Sequence, residues 1–344
     1  MKPVDTMEER DRKAEHIELA LDPKNQLERK FFDEIYLEHE ALPEIDLAEV
    51  DTSVEFLGHT LSAPLLISCM TGGTGEATRI NRNLAAAAEQ CGVACGVGSQ
   101  RKALEDTSTE ESFRIRPLAP NVPLLGNLGA VQFNYGFGIE ECRRAVEMIE
   151  ADALYLHLNV LQEAIQPEGQ CNFKGLVERI GEIASQLEVP IIIKEIGCGI
   201  SGKTARRLHD AGIRVIDTAG LGGTSWSRIE GHRAEDIAIG DLFANWGVPT
   251  TRSIRELAAI DGMTVIGSGG LRSGIDAAKS IALGADLVGM AYQFLLAANE
   301  STEKVVEKIE QTVRELKISM FCCGARNVTE LKQVEVRSWS EVNR

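Results

Sequence analysis

A group of polar side chains follows an apolar run near the middle of the chain. Residues 157–169 read HLNVLQEAIQPEG and come directly after the apolar residues 153–156. An imidazole, side-chain amides and carboxylates are therefore collected at the end of what reads as a buried strand. Such a set can bind an anion or a metal ion, or can move protons in acid–base catalysis. The residue types leave these alternatives open until the fold around them is known.

The strand before this segment is one of eight short apolar runs that alternate with amphipathic helical patterns. The runs lack strict polar alternation, which is typical of parallel strands covered on both faces. Eight strand–helix alternations predict an α/β fold, a (β/α)₈ TIM barrel, with an open doubly wound sheet as the alternative. The predicted strands are residues 64–70, 93–99, 123–128, 153–159, 190–196, 215–220, 264–270 and 287–291.

The barrel is expected to carry an extension at each end. Residues 1–63 combine an amphipathic helix with a polar connection, predicted to lie over the mouth or the base of the barrel. Residues 64–299 form the barrel, and residues 300–344 form a helical extension that closes it. A chain of 344 residues is long enough for a barrel of this kind with extensions in a single domain.

Composition and charge exclude several classes of protein. A net charge of −16 argues against binding to nucleic acid or to an anionic membrane. No run of apolar residues is long enough to span a bilayer, and the charged N-terminus does not resemble a signal peptide, so we expect a cytoplasmic protein. The eight cysteines include no CxxC pair, which disfavours a zinc site.

The ends of the predicted strands contain the remaining candidates for chemistry, because barrels bind ligands at that face. GSGGLRSG (267–274) and GMAYQFL (289–295) follow the seventh and eighth strands, where backbone N–H groups and a helix N-terminus commonly bind phosphate. Lys194 ends the run PIIIK, where it could be a Schiff-base nucleophile, a cation facing a ligand, or a charge that stabilises a reduced flavin.

Taken in order, the motifs resemble those of type 2 isopentenyl-diphosphate isomerases. They are DRKAEHI, MTGG, GSQR, HLN..QE..QPEG, KEIG.GIS, GLGGTSW..IE and GSGGLRSG, spread from about residue 11 to residue 295. The resemblance implies interconversion of isopentenyl and dimethylallyl diphosphate, with FMN, Mg²⁺ and a reductant such as NADPH. Reduced FMN would act as the acid–base group.

The resemblance also implies roles for individual residues. Gln162 and His157 are the candidate catalytic residues, Glu163 is the candidate Mg²⁺ ligand, and Glu230 is a second candidate near the metal. The substrate would be bound by Arg12, Lys13, Ser99, Gln100, Arg101, His157, Asn159 and Gln162. FMN would be bound by Thr71, Gly72, Gly73, Ser99, Asn127, Lys194, Thr224, Gly270, Arg272, Ala291 and Tyr292.

One position departs from the family pattern, and other functions stay open. Ala219 stands where some relatives carry serine, which removes one hydrogen bond to FMN. A net FMN oxidoreductase would need a catalytic histidine with an arginine pair or a loop cysteine, and Cys198 is the cysteine closest to such a position. A non-enzymatic flavin store is the third alternative. The resemblance further implies a homo-oligomer, a tetramer or octamer.

Overall fold

The N-terminal extension runs along both ends of the molecule. The computed structural model describes residues 12–73 and 75–342. Helix α1 lies at the mouth of the barrel described below, and a β-hairpin lies at its base. The elements are α1 (Arg12–Leu21), 3₁₀ turns at Pro23–Asn25, Phe31–Glu34 and Leu47–Glu49, β1 (Ile35–Leu37), and the hairpin strands β2 (Val54–Phe56) and β3 (His59–Leu61).

Eight parallel strands form a closed barrel, which confirms the predicted fold and excludes the open sheet. Every strand pairs with its neighbours along the chain, and the barrel closes where the last strand pairs with the first. The strands are β4 (Leu65–Ile67), β5 (Ala94–Gly96), β6 (Leu124–Gly129), β7 (Ala153–His157), β8 (Ile191–Lys194), β9 (Val215–Asp217), β10 (Thr264–Ser268) and β11 (Leu287–Met290). Seven of the eight predicted runs contain one of these strands completely, and the remaining strand, β6, extends one residue beyond its predicted run of 123–128.

Helices follow the strands and cover the outside of the barrel. Several begin with a serine whose hydroxyl accepts a backbone N–H of the first turn, as at Ser201, Ser225 and Ser273. The helices are α2 (Gly75–Cys91), α3 (Arg101–Glu105), α4 (Ile139–Ile149), α5 (Val160–Ile165), α6 (Leu176–Ala184), α7 (Gly202–Asp210), α8 (Trp226–Arg233), α9 (Ile237–Leu242), α10 (Thr250–Ala258), α11 (Gly274–Ala282) and α12 (Tyr292–Glu300), with 3₁₀ turns at Thr107–Ser112, Arg116–Leu118 and Ala130–Tyr135.

The C-terminal segment packs on the barrel and on the N-terminal extension. It contains α13 (Thr302–Cys322), α14 (Val328–Leu331), β12 (Val336–Ser338) and α15 (Trp339–Val342). Helix α13 packs against α2, α11 and α12 in the outer ring. Strand β12 pairs antiparallel with β1 and so joins the two extensions. Across the described ranges, no helix is both long and apolar enough to cross a membrane.

The hydrophobic core has an inner and an outer part. Inside the barrel, side chains from the strands pack with Phe56 and Leu61 of the β2–β3 hairpin, which closes the base. The outer part fills the space between strands and helices. Each fully buried Leu or Ile contributes about 1.5–3 kcal/mol relative to exposure. The base of the barrel therefore contributes to the stability of the fold, and a ligand-binding site can lie at the opposite end.

Candidate active site

A cavity opens at the carboxyl end of the barrel. Its volume is about 220 Å³, whereas one water molecule needs about 10–15 Å³, so a ligand of many atoms fits. All eight barrel strands contribute residues from their carboxyl ends to its wall, and helix α1 adds Lys13, His16, Ile17 and Ala20 across the mouth. This is the end at which barrel enzymes bind their ligands.

Hydrogen bonds between neighbouring strand ends organise one side of the cavity. His157 Nδ1 lies 2.8 Å from Asn127 Oδ1. Because an amide oxygen only accepts, Nδ1 carries the proton in this arrangement. On the same side, Lys13 Nζ donates to the carbonyl of Ser99 at 3.3 Å. Helix α1 thus brings a cation to a wall that already presents an imidazole, and together they suit an anionic ligand.

Lys194 brings a second cation into the cavity, at the end of β8. Its side chain is only 6% exposed, and Nζ donates to the carbonyl of Glu195 at 2.7 Å. The Glu195 carboxylate turns away and accepts the N–H groups of Ile196 and Gly197, both at 2.6 Å. Burial raises the pKa of Glu195 despite these bonds. Glu195 therefore holds the loop after β8, while Lys194 faces the cavity.

Two buried hydroxyls in the cavity wall have no hydrogen-bond partner within the described chain. They are Ser68 Oγ and Thr71 Oγ1, both in the segment after β4. A buried hydroxyl without a partner is costly, because it loses its hydrogen bonds to water. The two orphaned hydroxyls indicate that a polar ligand lies against this wall. Thr71 was among the residues predicted to bind FMN, whereas Ser68 was not, because its position within an apolar run gave no signal.

The loops after β9 and β10 approach one another very closely. A Cβ on Gly270 would lie 2.3 Å from the carbonyl oxygen of Gly222, and Gly270 has φ +78°, so only glycine fits. Arg272 fastens the loops by donating to the carbonyls of Gly222 and Leu27, each at 3.1 Å. The N-terminal extension is therefore tied to this part of the cavity.

The first turn of α12 forms the adjoining wall. Its N-cap, Ala291, has no side chain that can satisfy the first N–H groups, and Ala291 and Tyr292 both line the cavity. Uncapped N–H groups at a helix N-terminus favour a phosphate. The turn lies beside the Gly270–Arg272 loop, as the paired glycine-rich motifs predict.

A second polar network centres on Glu230 of α8, which is fully buried. Glu230 Oε1 lies 2.9 Å from His16 Nε2 and accepts from Gln162 Nε2 at 2.6 Å. Glu230 Oε2 accepts from Arg233 at 2.6 Å. Arg233 also pairs with Glu15 at 3.2 Å, which gives α1 a second link to the barrel. The network joins helix α1 at the mouth to Gln162, in the polar segment 157–169 that follows β7.

The environment of Glu230 favours its ionised form. Burial alone would raise the pKa, but the hydrogen bond and charge of His16 and the bonds from Gln162 and Arg233 outweigh it and lower the pKa. The pKa of Arg233 is raised, because its bonds with Glu230 and Glu168 outweigh its own burial. The cluster therefore holds a buried, fully hydrogen-bonded carboxylate close to the cavity.

Asn159, Gln162 and Glu163 lie behind this network rather than in the cavity wall. Strand β7 ends at His157, two residues before its predicted end, and Asn159 is the N-cap of α5. The side-chain amide of Asn159 donates to Gln162 Oε1 at 3.0 Å and to Glu163 Oε1 at 2.8 Å. Glu163 Oε2 accepts from Gln166 and from the N–H of Gln170, both at 2.6 Å. Asn159 Oδ1 is buried and has no hydrogen-bond partner among residues 12–73 and 75–342.

Four of the predicted ligands face away from the cavity. Gln100 is fully buried and bonds the carbonyl of Ala145 and the N–H of Asn127, so its side chain belongs to the barrel wall. Arg101 pairs with Glu105 at 2.8 Å. Gly72 and Gly73 pack against neighbouring side chains of the barrel exterior, Phe113 and Lys102. The side chain of Arg12 lies outside the described part of the chain.

The comparisons with known proteins agree with this geometry. The FMN-dependent dehydrogenase family matches residues 22–118 and 157–338. An isopentenyl-diphosphate delta-isomerase from Nostoc sp. is 48% identical over 95% of this chain and 95% of its own. The chain belongs to the isopentenyl-diphosphate delta-isomerase family. Members from Hydrogenovibrio crunogenus and Rickettsia africae are 48% and 46% identical, covering 93% and 95% of this chain and 95% and 97% of their own.

Solved structures show that this isomerase family shares its fold with flavin oxidases. A mandelate oxidase variant with an FMN adduct superposes with a TM-score of 0.63 at 20% identity, covering 94% of this chain and 92% of its own. A lactate oxidase from Pediococcus acidilactici gives 0.62 at 18%, covering 89% and 84%. At this identity the likeness concerns the fold alone.

The cavity of this isomerase family member fits FMN on its own chemistry. The glycine loop and the first turn of α12 would hold the phosphate, and the orphaned hydroxyls of Ser68 and Thr71 would meet the polar edge of the ring. Lys194 would place a positive charge at the same ring. Nine of the eleven residues predicted to bind FMN line the cavity, the exceptions being Gly72 and Gly73.

Proposed function

We propose that this protein interconverts isopentenyl diphosphate and dimethylallyl diphosphate, using reduced FMN, Mg²⁺ and a reductant such as NADPH. One observation carries the proposal: a single cavity is lined by the Lys194 cation and by the Lys13 and His157 groups. This arrangement suits an anionic cofactor with an anionic substrate above it. The names of relatives 46–48% identical support the same reaction.

The diphosphate is proposed to bind at the mouth. Lys13 and His157 supply charge and hydrogen bonds there, and the Ser99 hydroxyl lines the same wall. Arg12 precedes Lys13 and is proposed to join them. Arg101, which also bonds Gln170 at 3.3 Å, would have to leave Glu105 to reach the diphosphate. Gln100 is not part of the proposed site, since its polar groups are used within the barrel wall.

The hydrocarbon part of the substrate is proposed to lie between the diphosphate groups and the cavity floor. Ile17, Met70, Trp226 and Leu295 give that space apolar walls, which exclude water from a reacting alkene. When bound and reduced, FMN supplies the acid–base chemistry of a proton shift. Gln162, held by Asn159 and Glu230, is proposed to orient the alkene with an amide that does not compete as a base.

Glu163 is proposed to hold Mg²⁺, which would supply positive charge to neutralise the diphosphate. Within residues 12–73 and 75–342, no group of three or more His, Cys, Asp or Glu residues could hold a metal. Mg²⁺ commonly binds through one or two carboxylates and takes its other ligands from substrate phosphates and water. The buried carboxylate of Glu163 and the Oδ1 of Asn159, which has no partner among the described residues, would supply the protein oxygen atoms for such an ion.

Net oxidation that depends on a loop cysteine fits the residues less well. The cysteine-dependent form of that chemistry needs a reactive thiolate, and burial raises the pKa of Cys198 to about 12. Cys198 also does not line the main cavity. The flavin-storage alternative leaves the Glu230 network without a purpose.

An anaerobic assay tests the proposal directly. Purified protein with FMN, Mg²⁺ and NADPH should convert isopentenyl diphosphate into dimethylallyl diphosphate with no net consumption of NADPH after the flavin is reduced. Product formation must disappear when the reductant is omitted under oxidising conditions. Oxidation of a hydroxy acid without any allylic product would overturn the proposal in favour of an oxidoreductase.

Two neighbouring substitutions should separate turnover from metal binding. Gln162→Ala removes the amide that is proposed to orient the alkene and should mainly lower kcat, by about 10- to 100-fold. Glu163→Gln removes the carboxylate charge and should raise the Mg²⁺ concentration needed for half-maximal activity about tenfold. Magnesium titrations of both variants, with FMN affinity measured alongside, distinguish the two roles. An equal loss of FMN affinity in both would contradict them.

Assembly into a homo-oligomer, a tetramer or octamer, is also part of the proposal. Exposed apolar side chains support it, among them Leu242 at 74% and Trp246 at 62% exposure near α9. Apolar surface of this kind commonly marks a protein interface. Sedimentation velocity measures the state directly, and a monomer at micromolar concentration would exclude it.

A further inference from the structure

A fully buried carboxylate lies beneath the cavity, at the end of β9. Asp217 is 0% exposed, and it does not line the cavity itself. Burying a carboxylate is costly unless hydrogen-bond donors and a nearby cation compensate for the lost water. The surroundings of Asp217 supply both, and they connect it to the wall of the cavity.

Three donors from three parts of the barrel converge on Asp217. The Tyr155 hydroxyl of β7 donates to Oδ2 at 2.9 Å, and the Ser268 hydroxyl of β10 donates to Oδ1. The N–H of Ala219 lies 3.3 Å from Oδ1 and donates to Ser268 Oγ at 2.9 Å. Ser268 and Ala219 both line the cavity. Asp217 therefore orients two groups of the cavity wall from one layer below.

One of these groups is held in a conformation that needs support. Ala219 has φ +33°, which is unfavourable for a residue with a Cβ. Its N–H bonds to Asp217 and Ser268, and its carbonyl accepts from Gly199 at 3.0 Å. These contacts fix the loop that follows β9.

Lys194 is the cation that faces Asp217. The two residues are register partners on the parallel strands β8 and β9, so their side chains leave the same face of the wall. Lys194 Nζ lies 6.0 Å from the centroid of the Tyr155 ring, whose hydroxyl bonds Asp217. Their charges act in opposite senses on Cys69 in the cavity wall. Burial raises the pKa of that thiol to about 12, Lys194 lowers it and Asp217 raises it.

We propose that Asp217 is a positioning residue that balances the charge of Lys194 beneath the flavin and thereby sets the reduction potential of bound FMN. The inference rests on the proposed location of FMN over Lys194. Reduction adds negative charge to the flavin, which an uncompensated Lys194 would stabilise strongly. The Asp217 carboxylate moderates that effect while it orients Ser268 and the Ala219 loop.

The test is the midpoint potential of the FMN-loaded protein, measured by anaerobic reductive titration. Asp217→Asn keeps the shape and removes the charge, so reduced FMN should bind at least about tenfold more tightly relative to oxidised FMN. For a two-electron couple this is a positive shift of about 30 mV. Asp286→Asn is the matched control, because Asp286 holds the N–H of Val265 at the opposite end of the barrel and should leave the potential unchanged.

A double variant keeps the proposal testable where Asp217→Asn alone is unstable. Lys194→Met/Asp217→Asn removes both charges together, so it should unfold at a higher temperature than Asp217→Asn in the absence of flavin. An unchanged or negative shift of potential in Asp217→Asn would overturn the proposal. So would a double variant less stable than Asp217→Asn. If the wild-type protein bound no FMN, the proposed function would be refuted instead. The unfolding temperatures of the single and double variants would then still show whether the charges of Lys194 and Asp217 compensate each other.

Discussion

Replacing Glu230 with glutamine is expected to lower kcat by about 10²–10³-fold and to leave FMN affinity unchanged. The carboxylate receives His16, Gln162 and Arg233 at once. An amide keeps one acceptor and turns the other into a donor that faces existing donors, so Gln162 loses its orientation and α1 loses its anchor. The residues proposed to hold the FMN phosphate and ring edge lie elsewhere in the cavity wall, so FMN binding should be untouched. Steady-state kinetics and flavin titration measure the two quantities separately.

Glu168→Gln is the matched control for this variant. Glu168 pairs with the same arginine, Arg233, at 2.9 Å, but its side chain is 41% exposed. An exposed ion pair contributes little, so activity should stay within about threefold of wild type. If the two variants lost activity equally, the buried network would not be the cause.

The Glu230 variant also has a signature in the pH dependence of stability. The pKa of Glu230 lies below its ordinary value of 4.5 in the folded protein, so the ionised group stabilises the fold above that pH. This contribution is lost as the pH falls through the folded pKa. On acidification below about pH 4.5 the wild type should therefore lose unfolding free energy that Glu230→Gln does not lose. Denaturant titrations of both proteins between about pH 3 and pH 7 measure this difference in unfolding free energy, since that range spans the titration of a carboxyl group.

Lys194→Met is expected to weaken FMN binding by about 10- to 100-fold. The ammonium is buried in the cavity wall, and a hydrogen bond to a charged group contributes about 1.5–3 kcal/mol. Methionine has a similar length and no charge, so the cavity keeps its shape. The quenching of flavin fluorescence on binding gives the Kd of each protein.

An exposed lysine on α7 serves as the control for Lys194. Lys203 lies on the outer face of the barrel and makes no contact with the cavity. Lys203→Met changes the net charge by the same amount and should bind FMN as wild type does. Equal weakening in both variants would mean that overall charge, and not the Lys194 position, governs binding.

The fold could be predicted from the chain because its signal is periodic. Eight apolar runs of similar length, separated by amphipathic helices, have few other solutions than a closed parallel barrel. The direction of individual polar side chains was harder to predict. Gln100 stands at a strand end like Ser99, but it immediately precedes α3 and its side chain turns into the wall.

The sequence pattern alone did not predict two buried polar residues, one in the cavity wall and one beneath it. Asp217 and Ser68 are single polar residues in or next to apolar runs, and a strand pattern alone does not distinguish an interior face from a covered exterior face. The role of Asp217 follows from contacts with Tyr155 and Ser268, which are distant in the sequence, and that of Ser68 from its orphaned hydroxyl in the cavity wall. The Glu230–Arg233 pair did have a detectable spacing, since residues three apart on a helix are neighbours.

The hairpin at the base has a consequence for the order of events during turnover. Phe56 and Leu61 close that end of the barrel with apolar side chains, so the cavity is closed at the base and opens at the mouth. Cofactor and substrate would both enter through the mouth of the barrel, and the molecule that lies deeper would have to enter first. Under the proposed function, the flavin would be loaded once and retained, while diphosphates would exchange above it beneath helix α1.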